Sequence, residues 1–173
     1  VSNAWGKRGV GLVLALTIFI IDQVIKHWVV YGLGLSLPGD QRYVLPFFNF
    51  TFTKNPGVSL GLFTAGSPEG RWALVAMTGA IAAFVLVWLL RERKLPEIAA
   101  LGLVLGGAAG NIRDRFGAGY VIDYADLHFG GVRPFLIFNL ADAAITIGVL
   151  IILARSLFSR EKPDAAAQTA PET

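Results

Sequence analysis

The sequence predicts an integral membrane fold, mainly α, with four transmembrane helices and a small extramembrane β-sheet, a cradle, on the outer side. Three observations carry this. Hydrophobic residues fill 54% of the 173 positions and charged ones only 16%, with a mean hydropathy of +0.60, which is too apolar for an ordinary water-soluble domain. Four apolar runs, roughly 9–30, 72–90, 96–113 and 135–158, reach the length of about 20 residues that a helix needs to cross a bilayer core. Between them lie short stretches alternating apolar and polar with a period of two, the pattern of a half-buried strand. Residues 1–160 read as one membrane-embedded domain, and 161–173, rich in Ala, Pro, Glu and Gln, as a disordered cytoplasmic tail.

The first run follows Lys7 and Arg8 and so imitates a secretory signal peptide, but no small-x-small cleavage site closes it and Asp22 and Lys26 interrupt it. It is read as a span. The second, WALVAMTGAIAAFVLVWLL, carries no charge and is the clearest. The third is the weakest by hydropathy because it is rich in glycine and ends in Asn111, Arg113, Asp114 and Arg115. Its Gly102, Gly106 and Gly110 repeat every four residues, which places a flat seam on one helix face where a neighbouring backbone can approach; for Gly102 packing alone explains the glycine. The fourth run, FLIFNLADAAITIGVLIIL, holds Asp142.

Between the first two spans, Phe48 to Thr53 alternates as a strand, Asn55-Pro56-Gly57 supplies a turn, and Val58 to Leu62 alternates again. A second hairpin is expected from Tyr124 to Phe129, Gly130-Gly131, and Val132 to Phe135. Lys7 and Arg8, then Arg91, Arg93 and Lys94 in a short loop, then Arg155, Arg160 and Lys162 mark the cytoplasmic side, so both termini are expected there and the two longer loops outside. Trp5, Trp28, Trp72 and Trp88 lie near span ends, where aromatic anchors belong.

Composition also excludes chemistry. There is no cysteine, hence no disulfide, thiolate metal site or cysteine nucleophile. With His27 and His128 the only imidazoles, a histidine-rich metal site is not expected, and no cofactor is implied. The net charge of +3 comes from basic residues at the ends of apolar runs rather than along one polar face, so membrane lipids and not nucleic acid are the expected partners.

Against this background two carboxylates stand out, Asp142 within the last run and Asp123 in GYVIDYADLHF. A charged side chain at the centre of a spanning helix costs roughly 2.5–3.5 kcal/mol on insertion scales, so an intramembrane acid is a functional-site hypothesis by default. Asn139 and Asp142, three residues apart, are expected to share a face of one helix. An extended entry through Gly119 to Ile122 would bring Asp123 to the same level. Two carboxylates that meet cannot both ionise, and a shared proton is what an aspartic protease requires. The alternative is that Asp142 pairs with Lys26 or an arginine and only locks the bundle. Asp22 and Lys26 stand at i, i+4, the favoured order for a helical ion pair, although Lys26 could instead snorkel to a headgroup. Asn55 and Asn111 are neutral amides that could hold a peptide or a carboxylate, or serve structure alone. Arg115, beside Asp114, reads as a salt-bridge or headgroup arginine. His128 is given no role.

Together the strings Asp22-Gln23-x-x-Lys26, Asn55-x-Gly57, Gly106-Gly107-x-x-Gly110-Asn111-x-x-Asp114-Arg115-x-x-x-Gly119-x-Val121-x-Asp123 and Phe138-Asn139-x-Ala141-Asp142 resemble the lipoprotein signal peptidases, signal peptidase II, which are membrane aspartic proteases. The resemblance is colinear from about Ile21 to Ile147. It implies a catalytic dyad of Asp123 and Asp142, with Asp22, Lys26, Asn55, Gly57, Gly107, Asn111, Asp114, Arg115, Asn139 and Ala141 lining or bracing the site. It implies metal-free hydrolysis of diacylglyceryl-modified prolipoproteins just before the lipidated cysteine, in the bacterial inner membrane near its periplasmic face. Globomycin-like cyclic peptides would inhibit. Ile25, Pro56, Val58 and Ala143 depart from the usual family pattern without touching the dyad. A proton-coupled carrier using Asp142 and Asp22, or a non-catalytic membrane scaffold, are the competing readings; the chain lacks the repeated halves of the first, and the second gives no reason for two acids at one level.

Overall fold

The computed structural model describes residues 2–57, 67–130 and 132–158. Among them are four helices long and apolar enough to cross a membrane, α1 (Ser2–His27), α2 (Pro68–Arg91), α3 (Leu95–Gly117) and α4 (Leu140–Phe158). Strands β1 (Gln41–Leu45), β2 (Phe48–Asn55) and β3 (Val121–Leu127) form one antiparallel sheet in the order β1-β2-β3.

Local sequence explains where the helices start and stop. α1 ends in a π-helical turn, Trp28–Gly32, closed by the Leu33 N–H to the Trp28 carbonyl at 2.9 Å. Ser67 caps α2 by accepting from the Gly70 N–H at 3.1 Å, with Pro68 in the first turn, where a missing N–H loses nothing. The short turn to α3 is held by Glu92, whose carboxylate accepts from the Arg93 and Lys94 N–H groups at 2.7 and 3.0 Å.

The helix that reads weakest by hydropathy is the central one. Half of the apolar window of α3 is buried inside the protein, against 11–22% for the other three helices. Its glycine seam packs on α1: a Cβ on Gly102 would lie 2.6 Å from the Gly11 carbonyl oxygen, and one on Gly106 would strike that of Ala15. Gly107 faces the Ala141 carbonyl of α4 in the same way, and Gly148 of α4 faces Ala100. Small residues thus replace the bulk that a lipid-facing helix would carry.

The sheet rests on the end of α1 through Val29, Leu35, Phe52, Tyr124 and Ala125, all buried. β1, exposed along its whole length, has no burial alternation and was not expected from the sequence. The register of β2 on β3 shifts between Phe50 and Thr53, so Thr51 and Phe52 are both buried and the period of two breaks there.

Two expected boundaries are corrected. The fourth span begins at Leu140, not 135, because Phe138 bridges to Ala125 of β3 through backbone bonds of 2.7 and 3.2 Å, which hold the preceding chain extended. Among the described residues the second hairpin shrinks to one bridge, Phe129 with Val132; Pro134 has no N–H to extend it, and Ala125 to Leu127 pair with β2 instead. The expected alternation from Val58 to Leu62 and the tail 161–173 lie outside the described residues.

Candidate active site

The entry of α4 determines the site. A helix begins with N–H groups that have no partner within it, and here each of the first three finds a side chain. Leu140 N–H donates to the Tyr124 hydroxyl at 3.1 Å, Ala141 N–H to Asp22 Oδ1 at 3.1 Å, and Asp142 N–H to Asn139 Oδ1 at 3.0 Å. Asp142 Oδ2 accepts in return from the Asn139 N–H at 3.3 Å, the reciprocal arrangement of a capping box. Asn139 therefore precedes the helix and caps it, rather than sharing a helical face with Asp142.

The carboxamide of Asn139 also reaches β3. Its Nδ2 donates to Asp123 Oδ1 at 2.6 Å, while Asn55 Nδ2, from the end of β2, donates to Asp123 Oδ2 at 3.0 Å. Asn111 Nδ2, from α3, donates to Asp142 Oδ1 at 2.8 Å. Both carboxylates are thus bound to one residue, Asn139, and each has a further amide of its own. Burial is the main cause that raises Asp123 from 3.8 to about 6; the charge of Asp142 adds to it, against the opposing amides of Asn55 and Asn139.

Beneath the pair lies a buried ion cluster. Lys26, 2% exposed, bonds Asp22 at 2.8 Å, Asp114 at 2.7 Å and Asn111 Oδ1 at 3.3 Å. All three ammonium hydrogens have acceptors, so the snorkelling alternative is excluded, as is a lock between Lys26 and Asp142. Removing one member of such a cluster leaves a buried charge uncompensated, which costs more than the cluster contributes by forming. The lysine also fixes the amide of Asn111: with Oδ1 held by Lys26, Nδ2 must face Asp142. Gly110 is required here because a Cβ would lie 2.5 Å from Asp22 Oδ2.

Asp114 pairs with Lys26, not with its neighbour Arg115. The half-buried Arg115 lies in the field of Asp142, Asp123 and Asp114, and its Nε has no hydrogen-bond partner among the described residues. Gly57, at φ +90°, receives its turn from Asn55, whose Oδ1 accepts from the Gly57 N–H at 2.9 Å; a Cβ there would lie 3.6 Å from Arg115 Nε. Gly107 and the fully buried Ala141 make the close passage of α3 on α4. Asp22, Lys26, Asn55, Asn111, Asp114, Asp123, Asn139 and Asp142 thus form one bonded cluster with Gly107 and Ala141 packed beside it, Gly57 lies next to Arg115 outside those bonds, and His128 stands apart, its backbone N–H on the Phe47 carbonyl at 3.0 Å.

Two participants were missed. Tyr124 is the neighbour of Asp123 on a strand, and nothing in the local pattern marks its hydroxyl as a helix cap. Gln23, within the first motif but given no role, donates to Asp22 and to Asp114, at 3.1 Å each.

The bundle, sheet and paired carboxylates define a class, a membrane enzyme. Two solved structures, each described as a bacterial membrane enzyme, are similar to the chain. One has a TM-score of 0.75 and 29% identity, covering 89% of this chain and 95% of that one; the other has 0.73 and 28%, covering 95% and 94%. The family model described as Signal peptidase (SPase) II matches residues 14–158, and the chain belongs to that family. Proteins named lipoprotein signal peptidase are similar along most of their length. That of Sphingopyxis alaskensis is 50% identical over 152 residues, 88% of this chain and 87% of its own, and that of Rhizorhabdus wittichii 46% over 154 residues, 89% of each. The chain is a multi-pass bacterial membrane peptidase.

Proposed function

We propose that the chain removes signal peptides from diacylglyceryl-modified prolipoproteins by hydrolysing the bond just before the lipidated cysteine, with Asp123 and Asp142 as the catalytic dyad. The substrate class rests on family membership. The chemistry rests on one observation, that Asn139 binds both carboxylates at once.

Asp142 accepts two hydrogen bonds in the first turn of α4 and is assigned as the base. Asp123, raised to about 6, carries the shared proton. Water gives one proton to Asp142 as its oxygen attacks the scissile carbonyl carbon, and Asp123 gives its proton to the carbonyl oxygen. Collapse of the tetrahedral intermediate breaks the carbon–nitrogen bond, returns the hydroxyl proton to Asp123 and passes the other from Asp142 to the leaving amine. Arg115, whose Nε has no partner among the described residues, offers a donor to a substrate carbonyl. The step uses water and no cofactor.

Residues 1–160 act as one peptidase domain with both termini cytoplasmic, the dyad near the periplasmic face and 161–173 as a cytoplasmic tail. Globomycin-like cyclic peptides are expected to inhibit the peptidase. The test is cleavage of a diacylglyceryl-modified prolipoprotein peptide by the purified protein in detergent with EDTA, beside Asp123→Asn and Asp142→Asn. Cleavage by the parent, lost in both variants and indifferent to EDTA, is expected. Cleavage retained by either variant, or abolished by chelation, overturns the dyad.

A further inference from the structure

A groove of about 950 Å³ opens beside the end of α1 that meets the sheet, and neither Asp123 nor Asp142 lines it. Phe19, Ile20 and Val24 form its lower wall, within the first apolar span, and Ile20 and Val24 are 49% and 60% exposed. Its upper wall is the π-helical turn. Such turns are rare and concentrate at functional sites. This one carries Trp28 and Tyr31 to the groove while Val29 is buried in the sheet's core. Gly32 makes it possible, since a Cβ would lie 2.6 Å from the Trp28 ring.

Polarity changes along the groove. Apart from Gln23 its lower wall is hydrocarbon, whereas exposed Arg113, His27 and Ser36 add polar groups to the lining. Of the charged residues in the lining, Lys26 and Asp114 are bonded to each other, which leaves Arg113 as a cation with no ion pair among the described residues. From Phe19 to Tyr31 a helix rises about 18 Å, close to the roughly 15 Å of one leaflet's hydrocarbon.

We infer that this groove binds one anionic membrane phospholipid, its acyl chain along Phe19, Ile20 and Val24 and its phosphate at Arg113. The occupant is a membrane lipid and not the lipidated substrate, because exposed apolar residues of the first span, Ile20 and Val24, line the groove and neither Asp123 nor Asp142 does.

Trp28 reports occupancy. In a variant carrying Trp5→Phe, Trp72→Phe and Trp88→Phe, Trp28 is the sole tryptophan, and the full chain is placed in phosphatidylcholine bilayers containing brominated phosphatidylglycerol. Quenching of Trp28 at low mole fraction is expected to exceed that by brominated phosphatidylcholine by roughly fivefold, the factor one basic side chain supplies near an anionic lipid surface. Arg113→Gln should remove the preference, and Val24→Phe, which fills the groove, should weaken quenching by both lipids. Equal quenching by the two lipids overturns the inference, as does displacement of the brominated lipid by a diacylglyceryl-modified peptide, which would make the groove a substrate site. Native mass spectrometry of the otherwise unmodified chain is the second readout: one retained phosphatidylglycerol, lost in Arg113→Gln, supports the site, and equal retention of both lipids overturns it.

Discussion

Asn139 performs two functions that substitution can separate. Its oxygen caps α4 and its amide nitrogen holds Asp123. Serine caps a helix about as well as asparagine but carries no second donor to reach the strand. Asn139→Ser should therefore keep the fold, lowering the melting temperature by a few degrees, while activity falls about 10- to 100-fold, the worth of one hydrogen bond to a charged group. Equal activity in a peptide-cleavage assay would remove Asn139 from the mechanism. Asp123 supplies a pH prediction. Its value in the folded protein, about 6, is raised above 3.8, so the stability associated with its protonated form is complete below about pH 3.8 and is lost as pH rises through about 6. Asp123→Asn cannot titrate. It also sets an amide against the Asn55 and Asn139 donors, a penalty that does not vary with pH. The stability of the variant relative to the parent should thus rise between pH 4 and pH 7, by up to the order of 3 kcal/mol. A difference that stays flat across that range, in thermal unfolding at each pH, would place Asp123 at an ordinary value.

At the level of elements, hydropathy and packing give opposite rankings for α3. The helix with the least hydrophobic window is the most buried because its glycines admit the backbones of α1 and α4. Two glycines supply a controlled comparison. Gly106 has the Ala15 carbonyl against its missing Cβ, whereas Gly79 of α2 has nothing within 4 Å. Gly106→Ala should separate α1 from α3 at a cost of about 1–3 kcal/mol, and Gly79→Ala should be neutral or stabilising by up to about 1 kcal/mol. Comparable losses in detergent unfolding would mean that the seam does not hold the bundle. The elements also show what a sequence makes legible. Helices α1 to α3 could be read because length and apolarity are local properties, and β2 because its first half alternates. β1 could not, since a strand exposed on every residue has no pattern. The start of α4 was misplaced because Phe135 to Phe138 are apolar enough for a span, and the pairing of Phe138 with Ala125 of β3 holds that stretch out of the helix.

Across the whole molecule, the two acids reach one site from a strand and a helix that the sequence separates by Tyr124 to Ala141, and three other elements hold them there. Asp22 and Lys26 come from α1, Asn111 and Asp114 from α3, and Asn55 from β2. Residue types could be read in advance because carboxylates, amides and a lysine are out of place beside lipid. Their bonds could not, since Asp22 on Ala141 and Lys26 on Asp114 are contacts between distant segments. The connection also constrains topology. If all four helices span, the start of α1 and the end of α4 lie on one side of the membrane, and the sheet, whose strands follow α1 and α3, lies opposite the α2–α3 turn. Arg91, Arg93 and Lys94 at that turn favour the cytoplasm. Because the chain has no cysteine, single cysteines can report each side separately. Tyr43→Cys, at an exposed position of β1, should react with an impermeant maleimide in intact spheroplasts, and Arg93→Cys, exposed in the turn, only after permeabilisation. The reverse pattern would invert the protein, place Asp123 and Asp142 at the cytoplasmic face and overturn the proposed orientation. Labelling of both in intact cells would instead mean that α2 and α3 do not span as a pair, and the bundle that positions Asn111 against Asp142 would have to be redrawn.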